Sequence, residues 1–153
     1  MKVLIAAIGK DKRSSATFQL FEEYKKRIKW NVELKEFEHK KNLPPEILKE
    51  KEASLLLQSV EPSAKIIVLD ENGKNLSSEE FASLIKTWQD EGSSNLAFLI
   101  GGAAGHGKEV LEKADFKLSF GKLTWPHMMV RAMLSEQLYR ASSIIAGHPY
   151  HRS

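Results

Sequence analysis

The sequence predicts an α/β fold in which a parallel β-sheet is covered by helices on both faces. Short apolar runs of strand type alternate along the chain with segments of helical period, the pattern of a parallel sheet with crossover helices. The first of these runs is apolar on both sides, as buried parallel strands are. A length of 153 residues without a repeat or linker suits one domain over 1–153.

The first half of the chain predicts two strands, each followed by a helix. Lys2–Gly9 is the buried first strand, and Ser14 or Ser15 can cap the helix after it, since a serine oxygen accepts from first-turn amides. Val32–Glu38 alternates imperfectly and predicts the second strand. The Pro44–Pro45 pair suits the first turn of the second helix. The apolar positions at helical spacing are Phe18, Phe21, Tyr24 and Ile28 in the first helix and Ile47, Leu48, Leu55 and Leu56 in the second.

The second half continues the alternation with three further strands. Asn72 and Gly73 are turn residues that we expect to close the third strand, and Ser77 and Glu80 have capping-box spacing at the start of the third helix. The predicted strands are Lys65–Asp70, Asn95–Ile100 and Phe116–Phe120. The apolar positions of the helices are Phe81, Leu84, Ile85 and Trp88, then Val110 and Leu111, and finally Val130, Leu134, Leu138 and Ile145 in the longest helix, His127–Ile145.

Composition excludes several classes of protein. Hydrophobic residues make up 42% and charged residues 28%, which can fill a core and is unlike a disordered chain. Cysteine is absent, so there is no disulfide, thiolate nucleophile or cysteine-ligated metal. No apolar run is long enough to span a bilayer and the apolar opening is too short for a signal peptide. We expect a soluble, unprocessed cytoplasmic protein.

The net charge of +3 is mild, but the bases are unevenly placed. From Phe116 onward Glu136 is the only acidic residue, which favours a phosphate-facing surface, although an ordinary solvated surface explains the charge equally well. The bases of this C-terminal third are Lys117, Lys122, Arg131, Arg140 and Arg152.

In parallel sheets ligands bind beyond the carboxyl ends of the strands, so the loops there are the candidate sites. Gly101–Gly107 lets a ligand approach the backbone closely, but it is neither a dinucleotide fingerprint nor a phosphate loop, and a plain turn into a short helix fits it as well. Phe120–His127 is stiffened by Pro126 and can wrap an adenine or ribose, with Leu123 and Trp125 as apolar walls; the alternative is a connection whose Trp125 packs into the core.

The third candidate is the tail, His148–Arg152. Chain ends are usually frayed, yet this one carries imidazole, phenol and guanidinium groups that can stack on a base, pair with a phosphate and move a proton. No carboxylate lies nearby to complete a metal site, and no serine sits in a nucleophile elbow. A metal-free transfer reaction is therefore left open.

Together these segments resemble the RlmH-type methyltransferases of bacterial ribosomal large-subunit RNA, a family of the SPOUT superfamily. The resemblance covers essentially the whole chain, and the order and spacing of its motifs make it specific. Its motifs are Phe98–Gly102, Leu118–Ser119, Leu123–His127, Val130–Arg131, Glu136–Ala141 and His148–Arg152.

The resemblance implies a C-terminal trefoil knot, a homodimer, S-adenosylmethionine as methyl donor and N3 of a pseudouridine in 23S ribosomal RNA as acceptor. This chain departs from the family pattern at one point, because it has His106 where many relatives have leucine. By position, the implied cofactor contacts are Leu69, Gly101, Phe120, Gly121, Lys122, Leu123, Thr124 and Trp125.

A methyl sulfonium is already activated, so no metal is needed, and the protein has to align donor and acceptor and help the acceptor imide lose its proton. We expect a cationic, partly dry catalytic pocket, without assigning its general base, and expect Arg152 and Lys122 to contact RNA phosphate. If a dimer brings one subunit's tail to the other's cofactor loops, the tail orders when RNA binds. The catalytic candidates are His127, Arg140, Tyr150 and His151.

Two rival functions belong to other classes. A noncatalytic RNA-binding or ribosome-associated module would use the basic C-terminal surface without a cofactor. A nucleotide-binding oxidoreductase of doubly wound type is disfavoured because the dinucleotide fingerprint is absent. Binding of S-adenosylmethionine separates the first rival from a methyltransferase, and binding of nicotinamide would favour the second.

Overall fold

The computed structural model describes residues 1–38 and 42–152, and within them strands and helices alternate strictly. Ser153, which follows the tail His148–Arg152, lies outside this part of the chain. The elements are β1 (Lys2–Ile8), α1 (Ala16–Lys25), β2 (Asn31–Phe37), α2 (Pro45–Gln58), β3 (Lys65–Asn75), α3 (Ser78–Asp90), β4 (Asn95–Ile100), α4 (Lys108–Lys113), β5 (Phe116–Ser119) and α5 (His127–Ala146).

The five strands form one parallel sheet in the order β2-β1-β4-β3-β5. At the centre of the sheet, Val3 of β1 pairs with Val32 of β2 on one side and Leu96 of β4 on the other. Because all strands run the same way, the residues that follow β3, β4 and β5 meet at one edge. The predicted parallel sheet is confirmed, and its carboxyl edge is the place to look for a site.

Each face of the sheet is covered by helices, as the pattern of β1 requires. Val3 and Ile5 pack on one face with the helices α1, α3 and α5, whereas Ala6 and Ile8 pack on the other with α2 and α4. All four side chains are nearly inaccessible to solvent, because a parallel strand is buried on both sides. The α1–α3–α5 side holds the larger core.

The main correction to the predicted elements is at β3, which does not end before Asn72. Its register shifts between Leu69 and Lys74, and the strand then continues beside β5 to Asn75. At Gly73 a Cβ would lie 2.6 Å from the carbonyl oxygen of Lys117, so only glycine allows this close approach of the two strands. The turn residues therefore form an irregularity within the strand rather than its end.

Three smaller corrections concern apolar positions and ends. Ile47 on α2 is 44% exposed rather than inward, because α2 instead buries Ala53 and Leu56. Ile28 is buried, but it follows the end of α1. Strand β5 ends at Ser119, one residue before the predicted end.

The caps and the longest helix follow the sequence closely. Ser15 caps α1 by accepting from the amide of Phe18, and Ser77 with Glu80 forms the expected capping box of α3. Helix α5 begins at His127 as predicted and ends at Ala146, followed by Gly147, whose φ of +75° is the left-handed conformation that glycine adopts readily. None of the helices within the described residues is long and apolar enough to cross a membrane. The trefoil knot implied by the resemblance stays a prediction.

Candidate functional site

A cavity of about 290 Å³ opens at the carboxyl edge of the sheet. Three separate segments line it: the end of β3, the Gly101–His106 loop after β4, and the connection from β5 to α5. The residues lining it include seven of the eight predicted cofactor contacts; the eighth, Lys122, points to solvent. These seven are Leu69, Gly101, Phe120, Gly121, Leu123, Thr124 and Trp125.

The β5–α5 connection is shaped by the buried hydroxyl of Ser119. The Ser119 Oγ accepts from the amide of Gly121 at 3.1 Å and lies 3.2 Å from the carbonyl oxygen of Glu71 and 3.0 Å from that of Gly121. Gly121 has a φ of +106°, which an L side chain rarely adopts. The loop therefore turns at Gly121 and leaves main-chain groups on the cavity wall.

Trp125 is a wall of the cavity as well as a structural side chain. Its indole Nε1 donates to the carbonyl oxygen of Phe120 at 3.2 Å, which closes the connection into a loop. Leu123, at the tip of that loop, is 71% exposed. An exposed leucine beside a half-buried tryptophan favours the wrapping interpretation over simple core packing.

The glycine loop after β4 is tied to β3 by His106. The Nε2 of His106 lies 3.1 Å from the carbonyl oxygen of Leu69, and its ring would lie 3.2 Å from a Cβ at Gly101. Burial lowers the pKa of His106, so the neutral ring is favoured, and the proton sits on Nε2 because a carbonyl can only accept. His106 thus joins the ends of two neighbouring strands and occupies the space that the missing side chain of Gly101 leaves.

The start of α5 is anchored by a buried ion pair that the sequence analysis does not predict. Arg131 is 2% exposed; its Nη1 donates to Glu36 Oε2 at 2.6 Å and its Nη2 donates to the carbonyl oxygens of Ile8 and Gly9 at 3.1 and 2.8 Å. This pair joins α5 to the ends of β1 and β2. Arg131 is therefore not part of a phosphate-facing surface, because its charge is paired with that of Glu36 inside the fold.

Three of the catalytic candidates, Arg140, Tyr150 and His151, lie together away from this cavity. With the carboxylates of Glu79 and Glu136 they form a group that we call the tail cluster. Arg140 Nε donates to Glu136 Oε1 at 2.9 Å, and the Tyr150 hydroxyl donates to the same oxygen at 3.0 Å. The Tyr150 ring lies 4.5 Å from that of Tyr139. The tail is therefore docked on α5 in this chain rather than frayed.

His151 is held from both sides. Arg140 Nη1 lies 3.1 Å from His151 Nδ1 and can only donate, so Nδ1 accepts and the ring proton lies on Nε2, which contacts the carboxylate of Glu79. The carboxylate of Glu136, which accepts from Arg140 Nε and Nη2, balances the charge of Arg140. The expected cationic, partly dry pocket stays a prediction.

Two pKa shifts fix the roles open to this cluster. Burial, together with the bond to Glu136, raises the pKa of Tyr150 to about 12, so its phenol is a donor near neutral pH and not a base. The bond to Glu136 raises the pKa of Arg140, which stays a cation. Of the four catalytic candidates, His127 is the one that lines the cofactor cavity with an exposed ring.

The four catalytic candidates are thus divided between two places. His127 is at the first residue of α5, and Arg140 lies 13 positions later, roughly 20 Å along the helix at 1.5 Å per residue. Lys122 and Arg152, the predicted phosphate contacts, are both exposed. Among residues 1–38 and 42–152, no three His, Asp or Glu side chains are grouped so as to hold a metal ion.

Sequence reasoning missed two acidic partners of this site because they are remote in the chain. Glu36 lies 95 residues from Arg131, and Glu79 lies 72 residues from His151. His106 carried a signal, since it departs from the family pattern, but its bond to Leu69 depends on how β3 and β4 pair.

Comparisons with known proteins agree on one family. The family model described as predicted SPOUT methyltransferase matches residues 1–151. The chain is similar to ribosomal RNA large subunit methyltransferase H of Rhodospirillum centenum, with 50% identity over all of both chains, and to that of Paramagnetospirillum magneticum, with 51% identity over 99% of each. The AdoMet complex of the SpoU methyltransferase AviRb from Streptomyces viridochromogenes aligns with 96% of this chain and 61% of that one at a TM-score of 0.45 and 11% identity.

Proposed function

The chain belongs to the SPOUT methyltransferase family, and from that premise we propose that it methylates N3 of a pseudouridine in 23S ribosomal RNA with S-adenosylmethionine as methyl donor. The curated relatives named above are ribosomal RNA large subunit methyltransferases and match this chain from end to end. One observation carries the proposal for the site: three remote segments, implied by the resemblance to hold the donor, line a single cavity.

The cavity suits S-adenosylmethionine in its lining. Leu69, Phe120 and Trp125 supply apolar walls for an adenine, and the main chain at Gly121 is open to close approach. The carboxylates of Asp70 and Glu71, which also line the cavity, suit the hydroxyl groups and positive charge of such a ligand. These residues would hold the donor by shape, backbone contacts and opposite charge.

The bound donor supplies an activated methyl group, so the chain's own residues have to place and deprotonate the acceptor. N3 of the imide must lose its proton before its electron pair can form the new N–C bond while the S–C bond breaks. His127 is placed at the donor cavity, where an imidazole can accept that proton. Arg140, with Tyr150 and His151 docked around it, would stabilise negative charge on the acceptor.

RNA and assembly complete the proposal. Lys122 and Arg152 are exposed bases beside the cavity loop and on the tail, where RNA phosphate would contact them. We further propose that the protein forms a homodimer and is located in the cytoplasm, as the resemblance implies. The exchange of tails between subunits stays a prediction, tested by mixing two inactive variants, one in the cavity and one in the tail, and measuring recovered activity.

The direct test is methyl transfer to RNA of known modification state. Ribosomes, large subunits and naked 23S RNA from a strain lacking the protein are incubated with the purified protein and methyl-labelled S-adenosylmethionine. We expect label in one pseudouridine, and nucleoside mass spectrometry against N1- and N3-methyl standards should identify the N3 isomer. Label on another base, or none on any of the three substrates, would contradict the proposal.

Calorimetry with the donor addresses the noncatalytic alternative. A binding module that reads RNA through basic side chains has no use for the cofactor cavity and should give no heat with S-adenosylmethionine. A methyltransferase should bind it, and binding should be lost when the cavity loops are disturbed. This measurement needs no RNA, so it stands apart from the choice of substrate.

A further inference from the structure

The loop between β1 and α1, residues 9–15, lies beside the cofactor cavity, and we call it the β1–α1 loop. Ile8, which ends β1, packs against the glycine loop, since its Cγ2 would lie 3.1 Å from a Cβ at Gly102. Gly102 lines the cavity. The loop also meets the start of α5, because Met128 Cε would lie 3.4 Å from a Cβ at Gly9. The β1–α1 loop and the cavity therefore share one edge of the sheet.

The β1–α1 loop carries three exposed bases, Lys10, Lys12 and Arg13. Among the residues that the structure describes, no carboxylate lies within 4.0 Å of the amino group of Lys10 or Lys12. Arg13 contacts Glu36, but the buried Arg131 contacts the same carboxylate. One negative charge thus faces two guanidinium groups, so the pairing leaves a positive charge in place. The solvent side of this loop is therefore basic.

The backbone of the loop is fixed by its single acidic residue, Asp11. The Asp11 carboxylate accepts from the hydroxyl of Ser15 at 2.6 Å and from that of Thr17 at 2.7 Å. The Asp11 amide donates to Glu36 Oε2 at 2.8 Å. These bonds tie the loop to the start of α1 and to β2 on either side of the exposed bases. A fixed loop presents its charges in one arrangement, which lowers the entropy lost when a partner binds.

We propose that the β1–α1 loop binds the phosphate backbone of the RNA substrate and so holds the RNA at the cofactor cavity. This inference rests on the proposed function and adds a docking surface for its substrate. Exposed lysine and arginine side chains bind phosphate whatever the base sequence, and such contacts set the position of a bound nucleic acid. The strand order places β4 and β3 between this loop and the end of β5, so its cations act apart from Lys122.

A charge-matched pair of double variants tests the surface. Lys10→Glu with Lys12→Glu, the loop variant, reverses the two unpaired charges. Lys2→Glu with Lys29→Glu, the control variant, reverses two exposed lysines at the opposite edge of the sheet, where β1 begins and just before β2 begins. Both variants change the net charge equally, so a difference between them reports position rather than total charge. Arg13 is left in place because it is bonded within the fold.

RNA binding and methyl transfer are measured on ribosomes, large subunits and naked 23S RNA from the strain lacking the protein. On the preparation that the wild type methylates, we expect the loop variant to raise the KM for RNA by about 10-fold or more, because two phosphate contacts are replaced by repulsion. The kcat at saturating RNA and the Kd for S-adenosylmethionine should stay within about two-fold. The control variant should stay within about two-fold of wild type in all three quantities.

The salt dependence of RNA binding without the donor gives a second readout. The slope of the logarithm of the binding constant against that of the salt concentration should become shallower by roughly 1.4 to 1.8 in the loop variant alone, the effect of two lost phosphate contacts. Lys10→Gln with Lys12→Gln, which removes the charges without repulsion, should show the same change of slope with a smaller rise in KM.

Several results would overturn the proposal. Equal KM values and equal salt slopes in the loop and control variants would show that the loop does not bind the RNA. Sedimentation is measured for every variant, and a changed oligomeric state in the loop variant would make the loop an interface between copies instead. Wild-type protein that methylates none of the three preparations would refute the proposed function itself, whatever the variants bind.

Discussion

Helix α5 begins at the cofactor cavity and ends beside the tail cluster, and the two ends are built by different physical means. Around His127 the walls come from main-chain turns, a positive φ at Gly121 and a close approach at Gly101. Around Arg140 the structure rests on side chains: a carboxylate shared by a guanidinium and a phenol, and an imidazole between Arg140 and Glu79.

The difference suggests how each end responds to substitution. A cavity made of backbone tolerates exchange of many side chains but not a change in the conformation of its turns. A cluster made of charged side chains loses its geometry when a single partner is removed, because the remaining charges are left unpaired. We therefore expect changes at the first end to affect the Kd for S-adenosylmethionine and changes at the second to affect turnover.

The largest expected effect is on the tail cluster. Deleting Tyr150–Ser153 removes the phenol and the imidazole that surround Arg140 and should lower methyl transfer by at least about 100-fold, the low end of what positioned acid–base groups contribute. The Kd for S-adenosylmethionine, measured by calorimetry, should stay within about two-fold, because none of the described tail residues, His148–Arg152, lines that cavity.

The matched control for the deletion is Tyr150→Phe, which keeps the ring against Tyr139 and removes only the hydroxyl bond to Glu136. It should lose less turnover than the deletion. Unchanged turnover in the truncated chain would exclude the tail from catalysis, and a large loss of donor affinity would contradict the division between the two ends of α5.

Much of the fold is predictable because its signals are local. The bounds of β4, the start of α5 and the Ser77–Glu80 capping box are each set by residues within one element. The continuation of β3 to Asn75 is not, because turn residues interrupt the apolar run and the strand resumes only by pairing with β5. Likewise, the exposure of Ile47 depends on what α2 packs against rather than on its own spacing.

The same distinction between local and remote signals decides which parts of the site could be predicted. The loops around the cofactor cavity follow strand ends that the sequence marks, so seven of the implied contacts could be brought to one edge by topology alone. The partners of the charged residues could not, because Glu36 and Glu79 lie far from Arg131 and His151 in the chain. Charge counted along the sequence suggested a basic surface, whereas the structure buries Arg131 and pairs Arg140.

A smaller effect is expected from one methyl group at a turn. Gly121→Ala places a Cβ in open space but at a φ of +106°, so its cost is backbone strain of about 1–2 kcal/mol and the donor Kd should rise by about 5- to 30-fold. Gly147→Ala is the matched control, because Gly147 also has a positive φ and open space but lies at the far end of α5. It should leave the donor Kd unchanged. Equal losses of donor affinity in both variants would show that the effect is general destabilisation.

The smallest expected effect concerns pH and the link between the two cavity loops. Burial lowers the pKa of His106 in the folded chain, while Asp70 opposes that shift; the unfolded chain has an ordinary histidine pKa of about 6.5. Below that value the unfolded state binds a proton that the folded state does not, so stability falls as the pH drops from about 6.5 toward the folded pKa. Because about 1 kcal/mol shifts the Tm of a chain this size by about 2–4 °C, we expect a difference of a few degrees.

His106→Leu isolates this term, because it removes the ring and leaves every other titrating group in place. The other ionisable side chains of the cavity, Asp70, Glu71 and His127, are the same in both proteins, so the difference between the two curves of Tm against pH reports His106. The wild-type curve should fall more steeply between about pH 6.5 and pH 5. Parallel curves would mean that the ring takes up its proton freely in the folded chain, and His106 would then not be the neutral donor that ties Leu69 to the glycine loop.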